Sequence, residues 1–452
     1  MQAQNIDEKY IEMTRSPVEK LIGKLAIPTI ISMLITTVYN MADTFFIGKI
    51  STSASGAVGV AFSLMSVIQA VGFFFGQGSG NNISRELGRR NTQRAETLAS
   101  VGFFSALISG TVIMGLGLAF IRPLARLLGS TETILPYAVD YLRIVLIGGS
   151  YMTASFVLNN LLRFQGNAFY GMIGLASGGV LNILLDPLFI FVFHMGISGA
   201  ALATILSQFV SFLILLYQCN HVGTVKVRFR NFRPSRAVYG MIISGGLPSL
   251  CRQGIAGVAT VCLNKAANPF GDAAIAAMSI VSRIANLLQS AVIGFGQGFQ
   301  PVCGYNYGAG KYSRVRRGFW FCTIVSTVFL AVFSALEVPL APQFVELFRK
   351  GDPEVVAIGA KALRFQCITG WTAGFLVLAN MTLQTSGKTL SASILGMARQ
   401  GLFLIPAVLI LSALWGILGL QLAQPVSDVL SFLVSVPMMA AFLKKLPKED
   451  AA

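Results

Sequence analysis

Two acidic side chains inside long apolar runs carry the first chemical signal in this sequence. Asp43 ends a polar stripe formed with Thr36, Tyr39 and Asn40, which precede it by seven, four and three positions and so share one helical face. Asp186 follows Asn182 by one turn, and Pro187 then loosens the backbone ladder and can free a carbonyl for an ion. A carboxylate deep in a bilayer-spanning helix is costly and marks function by default. Counting from the helix ends, Asp43, Tyr141, Asp186 and Thr204 fall at one depth, roughly 10 Å below the outer surface at 1.5 Å rise per residue. Carboxylate, amide and hydroxyl oxygens suit Na⁺, which places a candidate metal-ion site at Asp43, Asn182, Asp186 and Thr204, with Tyr141 beside it. The same acids can instead carry protons. A purely structural alternative stays open, in which each acid anchors a neighbouring helix by hydrogen bonds.

The second half of the chain has the opposite character. Its embedded charges are mostly basic: Arg252, Lys265, Arg283, Lys361, Arg364 and Arg399, against Glu337 and Asp428. One reading is buried pairing, for example Asp428 with Arg399 or Arg252, together with snorkelling at helix ends. The other is that these cations, with Asn40 from the first half, line a cleft and meet anionic groups of a substrate. Met33, Met65, Phe156, Met278, Met381 and Met397 offer soft contacts to varied ligands, or ordinary packing.

The elements that hold these groups are membrane helices. The chain has 452 residues, of which 54% are hydrophobic and 12% charged, with a mean hydropathy of +0.70. A soluble fold could not bury that much apolar surface. Apolar runs of about 20 residues or more fall near 25–50, 54–77, 96–120, 133–160, 169–193 and 197–218. They resume near 240–265, 274–300, 317–340, 357–383, 391–412 and 416–441. Basic residues concentrate in the even-numbered loops and at the C-terminus: Arg85, Arg89, Arg90 and Arg94; then Lys226 to Arg236; then Lys311 to Arg317; then Lys444, Lys445 and Lys448. The odd loops are poorer, with Arg349 and Lys350 in one of them. The even loops and both termini are therefore expected on the cytoplasmic side. The acidic N-terminal segment argues against a cleaved leader.

Other chemistries find little support. The net charge of +16 sits in short linkers, and no soluble segment is large enough for a nucleic-acid face. The six cysteines lack metal-finger spacing. Gly387-Lys388-Thr389 resembles the end of a phosphate loop, but Thr382 stands where that loop needs glycine. Only His194 and His221 are available for a histidine-based site. No resident cofactor, no metal centre beyond a coupling ion and no enzymatic cluster is expected.

The halves repeat one another. Gly76-Gln77-Gly78 recurs as Gly296-Gln297-Gly298, 220 positions on, and Gly88 meets Gly308, Arg94 meets Arg314 and Pro28 meets Pro248 at the same shift. Six helices per half make both halves enter from one side, related by a pseudo-two-fold axis along the membrane normal. The expected division is a cytoplasmic segment (1–20), an N-lobe (21–218), a basic linker (219–238), a C-lobe (239–443) and a cytoplasmic tail (444–452). The fold class is all-α integral membrane, with twelve transmembrane helices in two pseudo-symmetric six-helix lobes.

Several motifs in order then resemble the multidrug and toxic compound extrusion (MATE) family. They are Pro28 with Tyr39-Asn40-Met41-Ala42-Asp43-Thr44, Gly76-Gln77-Gly78, Asn182-Ile183-Leu184-Leu185-Asp186-Pro187, Gly199-Ala200-Ala201-Leu202-Ala203-Thr204 and Arg399-Gln400-Gly401. The resemblance implies export of amphipathic small molecules by H⁺ or Na⁺ antiport with alternating access. It implies a bacterial inner-membrane protein acting as a monomer, whose partners are its substrate and the bilayer. The DinF-like branch couples ions through its N-terminal lobe, at positions filled here by Asp43, Tyr141, Asn182, Asp186 and Thr204, with bending of the first helix near Pro28. The NorM-like branch uses carboxylates on helices seven and ten, where this chain has Arg252, Lys265, Lys361 and Arg364. A lipid-linked precursor flippase of the same superfamily is the alternative.

Overall fold

The computed structural model describes residues 2–348 and 352–450; Arg349, Lys350 and the last two residues of the 444–452 tail lie outside them. Among the described residues the secondary structure is helical, with no strand. A short amphipathic helix α1 (Gln2–Arg15) leads into the first lobe. That lobe comprises α2 (Val18–Gly48), α3 (Thr52–Gly88), α4 (Thr92–Ala119), α5 (Ile121–Leu127), α6 (Leu135–Ile147), α7 (Gly149–Phe164), α8 (Ala168–Pro187) and α9 (Gly196–His221). The second lobe comprises α10 (Arg236–Ala267), α11 (Asp272–Gly308), α12 (Tyr312–Phe348), α13 (Pro353–Gly370), α14 (Thr372–Thr385), α15 (Thr389–Met397) and α16 (Leu404–Lys445).

Twelve crossings follow from these helices. Eight segments are long and apolar enough to cross a bilayer. Two further crossings are bent pairs: α6 with α7, which meet at 54°, and α13 with α14, which meet at 55°. The segment Thr389–Lys445 is 57 residues long, far beyond the roughly 20 that one span needs. Gly416, at φ 60° and ψ −135°, breaks it in two, a conformation that a residue with a Cβ resists. The last crossing is α10, whose 32 residues include Arg252 and Lys265 and are less apolar than the rest. The bends at Gly148 and Trp371 and the short helix α5 are not legible in the hydropathy pattern, which reads each bent pair as one continuous run.

The apolar cores show how the lobes meet. One core is shared by both lobes and contains Met13, Ile22, Ile83, Leu161, Ile242 and Phe299 among others. A second belongs to the N-lobe alone, with Ile47, Ile68, Leu142 and Ile190. A third belongs to the C-lobe alone, with Met278, Ile284, Val345 and Leu363. The lobes are thus fused at the end that carries α1 and separate at the other. The fused end depends on close helix approach. A Cβ at Gly88 would collide with the Tyr305 carbonyl, and one at Gly308 would collide with the Arg85 carbonyl. Positions 85 and 305 are themselves 220 apart, so the two contacts are one contact repeated about the pseudo-two-fold axis.

Polar bonds reinforce the fused end. Thr29 donates to the Gly294 carbonyl at 2.6 Å, Asn82 donates to the Met241 carbonyl at 2.7 Å, and Thr385 donates to Asn81 Oδ1 at 2.7 Å. The helix α1 is tied down by Asn306, which donates to the Met13 carbonyl at 3.0 Å, and by Lys311, which donates to the Thr14 carbonyl at 3.2 Å.

Candidate functional site

Six helices of the N-lobe converge on a cavity of about 100 Å³. From α2 come Thr36, Tyr39, Asn40 and Asp43; α6 gives Tyr141, α8 gives Asn182 and α9 gives Thr204 and Gln208. Phe62, Met65 and Phe156 complete an apolar wall. Each polar residue sits on a helix that otherwise faces lipid or core, so the helices deliver isolated oxygens to one small space. Asp186 lies behind the lining, fully buried, and accepts a bond from Asn182 Nδ2 at 3.4 Å. Tyr141 is within hydrogen-bonding reach of Thr204, and Tyr39 of Gln208. Thr204 itself donates to the Ala200 carbonyl at 3.0 Å. The structure therefore brings together Asp43, Tyr141, Asn182, Asp186 and Thr204. Gln69 and Gln208 join them without having stood out in the sequence, where an isolated glutamine in an apolar run has no distinctive spacing.

The decisive chemistry is what these groups lack. Asp43 Oδ1, Asn182 Oδ1 and Asp186 Oδ2 are buried and have no hydrogen-bond partner among the described residues. An unpaired buried acceptor costs about 1–3 kcal/mol, and more when charged. Three such oxygens beside one cavity describe a receptor for something positive. A hard cation such as Na⁺ fits carboxylate and amide oxygens. A proton fits as well.

Pro28 lies inside α2, which continues unbroken through it, and its carbonyl is taken by Ser32 at 2.9 Å. After Pro187 the backbone widens into a π-helical turn over Leu188–Val192. A second π-helical turn, Ala398–Leu402, holds Arg399 in the C-lobe.

The basic residues of the C-lobe separate into distinct groups. Arg399 pairs with Asp428, Nε to Oδ1 at 2.7 Å. Arg252 takes no part in that pair. It projects from α10 within electrostatic range of Arg163 across the lobe boundary. Lys265, Arg283, Lys361 and Arg364 are exposed, and Arg364 donates to the Val338 carbonyl at 3.1 Å. None of these four lines a C-lobe cavity described here.

Arg163 is a buried charge with no distinctive sequence signal. It is only 2% exposed and lies between the lobes. It donates to Gln300 Oε1 at 3.2 Å and to the Gln297 carbonyl at 3.4 Å, both in the opposite lobe, and to Asn160. Its position one residue before Phe164, close to a helix end, looks like an ordinary loop-flanking arginine.

Two six-helix lobes fused at one end and parted at the other, with a polar cavity in the parted half, are the architecture of a membrane transporter. A family model described as MatE matches residues 28–188 and 257–410. The chain belongs to the MatE family. It is 26% identical over 448 residues to the multidrug export protein MepA of Staphylococcus haemolyticus (strain JCSC1435), covering 99% of this chain and 98% of that protein. The MepA of Staphylococcus aureus (strain NCTC 8325 / PS 47) is 26% identical over 416 residues, with 91% of each chain covered. Among solved structures, the outward-facing conformation of a multidrug resistance MATE family transporter of the MOP superfamily superposes with a TM-score of 0.92. That match has 26% identity and covers 97% of this chain and 99% of the other.

Proposed function

We propose that this protein is a secondary multidrug exporter that expels amphipathic small molecules by antiport of Na⁺ or H⁺ bound in the N-lobe. The observation that carries the coupling is the trio of unpaired buried oxygens on Asp43, Asn182 and Asp186. A cation entering there satisfies all three. It then stabilises whichever arrangement of α2, α8 and α9 brings them closest. The ion acts on transport only through its different affinity for two arrangements of the lobes. Pro28 in α2 and the wide turn after Pro187 are the places where such helices can bend. The apolar wall of Phe62, Met65 and Phe156 beside the oxygens suits one apolar edge of an amphipathic compound whose body lies in the cleft.

In this reading the protein spans a bacterial plasma membrane as a monomer, with both termini, α1 and the fused end on the cytoplasmic side. The arrangement described is then open outward. A lipid-linked flippase would need a larger cationic cavity, whereas Lys265, Arg283, Lys361 and Arg364 are exposed.

The test is dye efflux from proteoliposomes with Na⁺ and pH gradients imposed separately. One gradient should drive wild-type export, and neither should drive Asp43→Asn or Asp186→Asn. Undiminished ion-driven export in both variants would overturn the coupling site.

A further inference from the structure

The C-lobe has a cavity of its own, of about 90 Å³, flanked by α10 and α11 as the N-lobe cavity is flanked by α2 and α3. Hydrogen-bonding side chains, among them Thr260, Asn286, Gln289, Gln366, Arg399 and Gln400, share its lining with apolar ones such as Leu263 and Leu404. Arg399 also lines the adjoining cavity that contains Gln289, Gln366 and Glu337.

Arg399 is held in an unusual way. Its Nε donates to Asp428 Oδ1 at 2.7 Å and its Nη1 donates to Gln289 Oε1 at 2.8 Å. A guanidinium has five N–H groups. Three of the five, all on Nη1 and Nη2, therefore have no protein acceptor among the described residues. Asp428, in contrast, has both of its oxygens engaged. It also accepts from Gln424 at 2.8 Å and from Thr369 at 3.4 Å. The side chain of Asp428 is 0% exposed and that of Arg399 is 15% exposed. A pair built only to neutralise itself would hide both members. Here the acid is sealed and the base presents its free edge to the cavity. Gln366 and Gln400 line the same space and make no side-chain hydrogen bond among the described residues. The π-helical turn at Ala398–Leu402 widens the helix where Arg399 leaves it, and such turns recur at functional sites.

We infer that this cavity is a second ligand subsite, which takes the carboxylate end of an exported compound on the free edge of Arg399. The inference rests on the export reading. Two parallel N–H groups match two carboxylate oxygens. The cavity has room for a substituent but not for a drug-sized molecule, so the body of the ligand stays in the cleft between the lobes. With acids on the N-lobe side and Arg399 on the C-lobe side, a zwitterion whose cationic and anionic ends lie far apart is the compound best served.

A matched dye pair tests this: a rhodamine with a free benzoate and its methyl ester, which differ in that group alone. Binding to purified full-length protein is read by fluorescence polarisation, without any ion gradient, so failure of antiport leaves the measurement intact. The wild-type protein should bind the acid more tightly than the ester. The double substitution Arg399→Gln with Asp428→Asn removes both charges of the pair together. It should weaken the acid about tenfold and leave the ester unchanged. Asp428→Asn alone keeps the free edge and should keep the preference. If the double variant fails to fold, Gln366→Leu with Gln400→Leu leaves the ion pair intact and should weaken the acid about threefold. A wild-type protein without preference for the acid overturns the inference. So does a parallel loss of both dyes in either variant, which is the mark of a merely structural pair.

Discussion

Asn182 donates from Nδ2 to Asp186 Oδ1 at 3.4 Å, one turn along α8, and this bond aims the remaining oxygen of each side chain away from its partner. In the proposed coupling site the amide is thus a positioning group as well as a ligand. Asn182→Leu should weaken ion affinity about 10–100-fold, the usual cost of losing such support. The half-saturating Na⁺ or H⁺ concentration for dye efflux reads this directly. An unchanged half-saturation would remove Asn182 from the site.

Arg163 bridges the lobes through Gln297 and Gln300. Bonds from a charged donor are worth about 1.5–3 kcal/mol each. Arg163→Gln should therefore favour parting of the fused end. Cys303 is buried there, 1% exposed, and reports on parting. Its labelling by a membrane-permeant maleimide should speed up about tenfold or more in the variant, relative to a Cys303→Ser background. Equal labelling rates would show that Arg163 does not hold the lobes.

The paired contacts of Gly88 with Tyr305 and Gly308 with Arg85 make a symmetry prediction. Gly88→Val and Gly308→Val each drive a side chain into backbone that cannot yield. The two should slow efflux to similar degrees and raise Cys303 labelling to similar degrees. A large difference between them would mean that the two sides of the joint carry unequal load.

Glu12 on α1 receives Lys24 at 2.6 Å and Lys9 at 3.0 Å. Burial pushes its carboxyl upward, but the two ammonium groups prevail and hold it below its ordinary value. A depressed acid contributes stability above its unfolded value, near pH 4.3, and loses it as pH falls through the folded value. Protection of α1 from hydrogen exchange, relative to the intrinsic rate at each pH, should be high at neutral pH and fall below about pH 4. Glu12→Gln should show low protection at both.

Much of this architecture is legible in the sequence, and the exceptions have physical reasons. The twelve runs, the repeat and the convergence of Asp43, Tyr141, Asn182, Asp186 and Thr204 follow from periodicity and helix depth, which fix position along an axis. What depth does not fix is rotation. Lys361 and Arg364 lie inside an apolar run that leaves pairing, snorkelling and cleft lining all open, and both are exposed on α13. Arg399 and Asp428 are 29 positions apart, and only packing reveals that one is sealed and the other open. Arg163 was missed because a buried arginine without an acid looks, in sequence, like any arginine near a loop. Bends at Gly148 and Trp371 leave hydropathy unchanged and so leave no trace in it.

The repeated contact at Gly88 and Gly308 has a mechanical consequence. It works as a pair of matched bearings, one on each side of the axis. Bearings of equal geometry let two bodies tilt evenly and resist shear of one past the other. The unequal parts, acidic on one side and basic on the other, sit away from the bearings, in the parted half. Duplication thus left the machine with a balanced hinge and an unbalanced jaw. The jaw can be altered residue by residue to suit new cargo without disturbing the hinge.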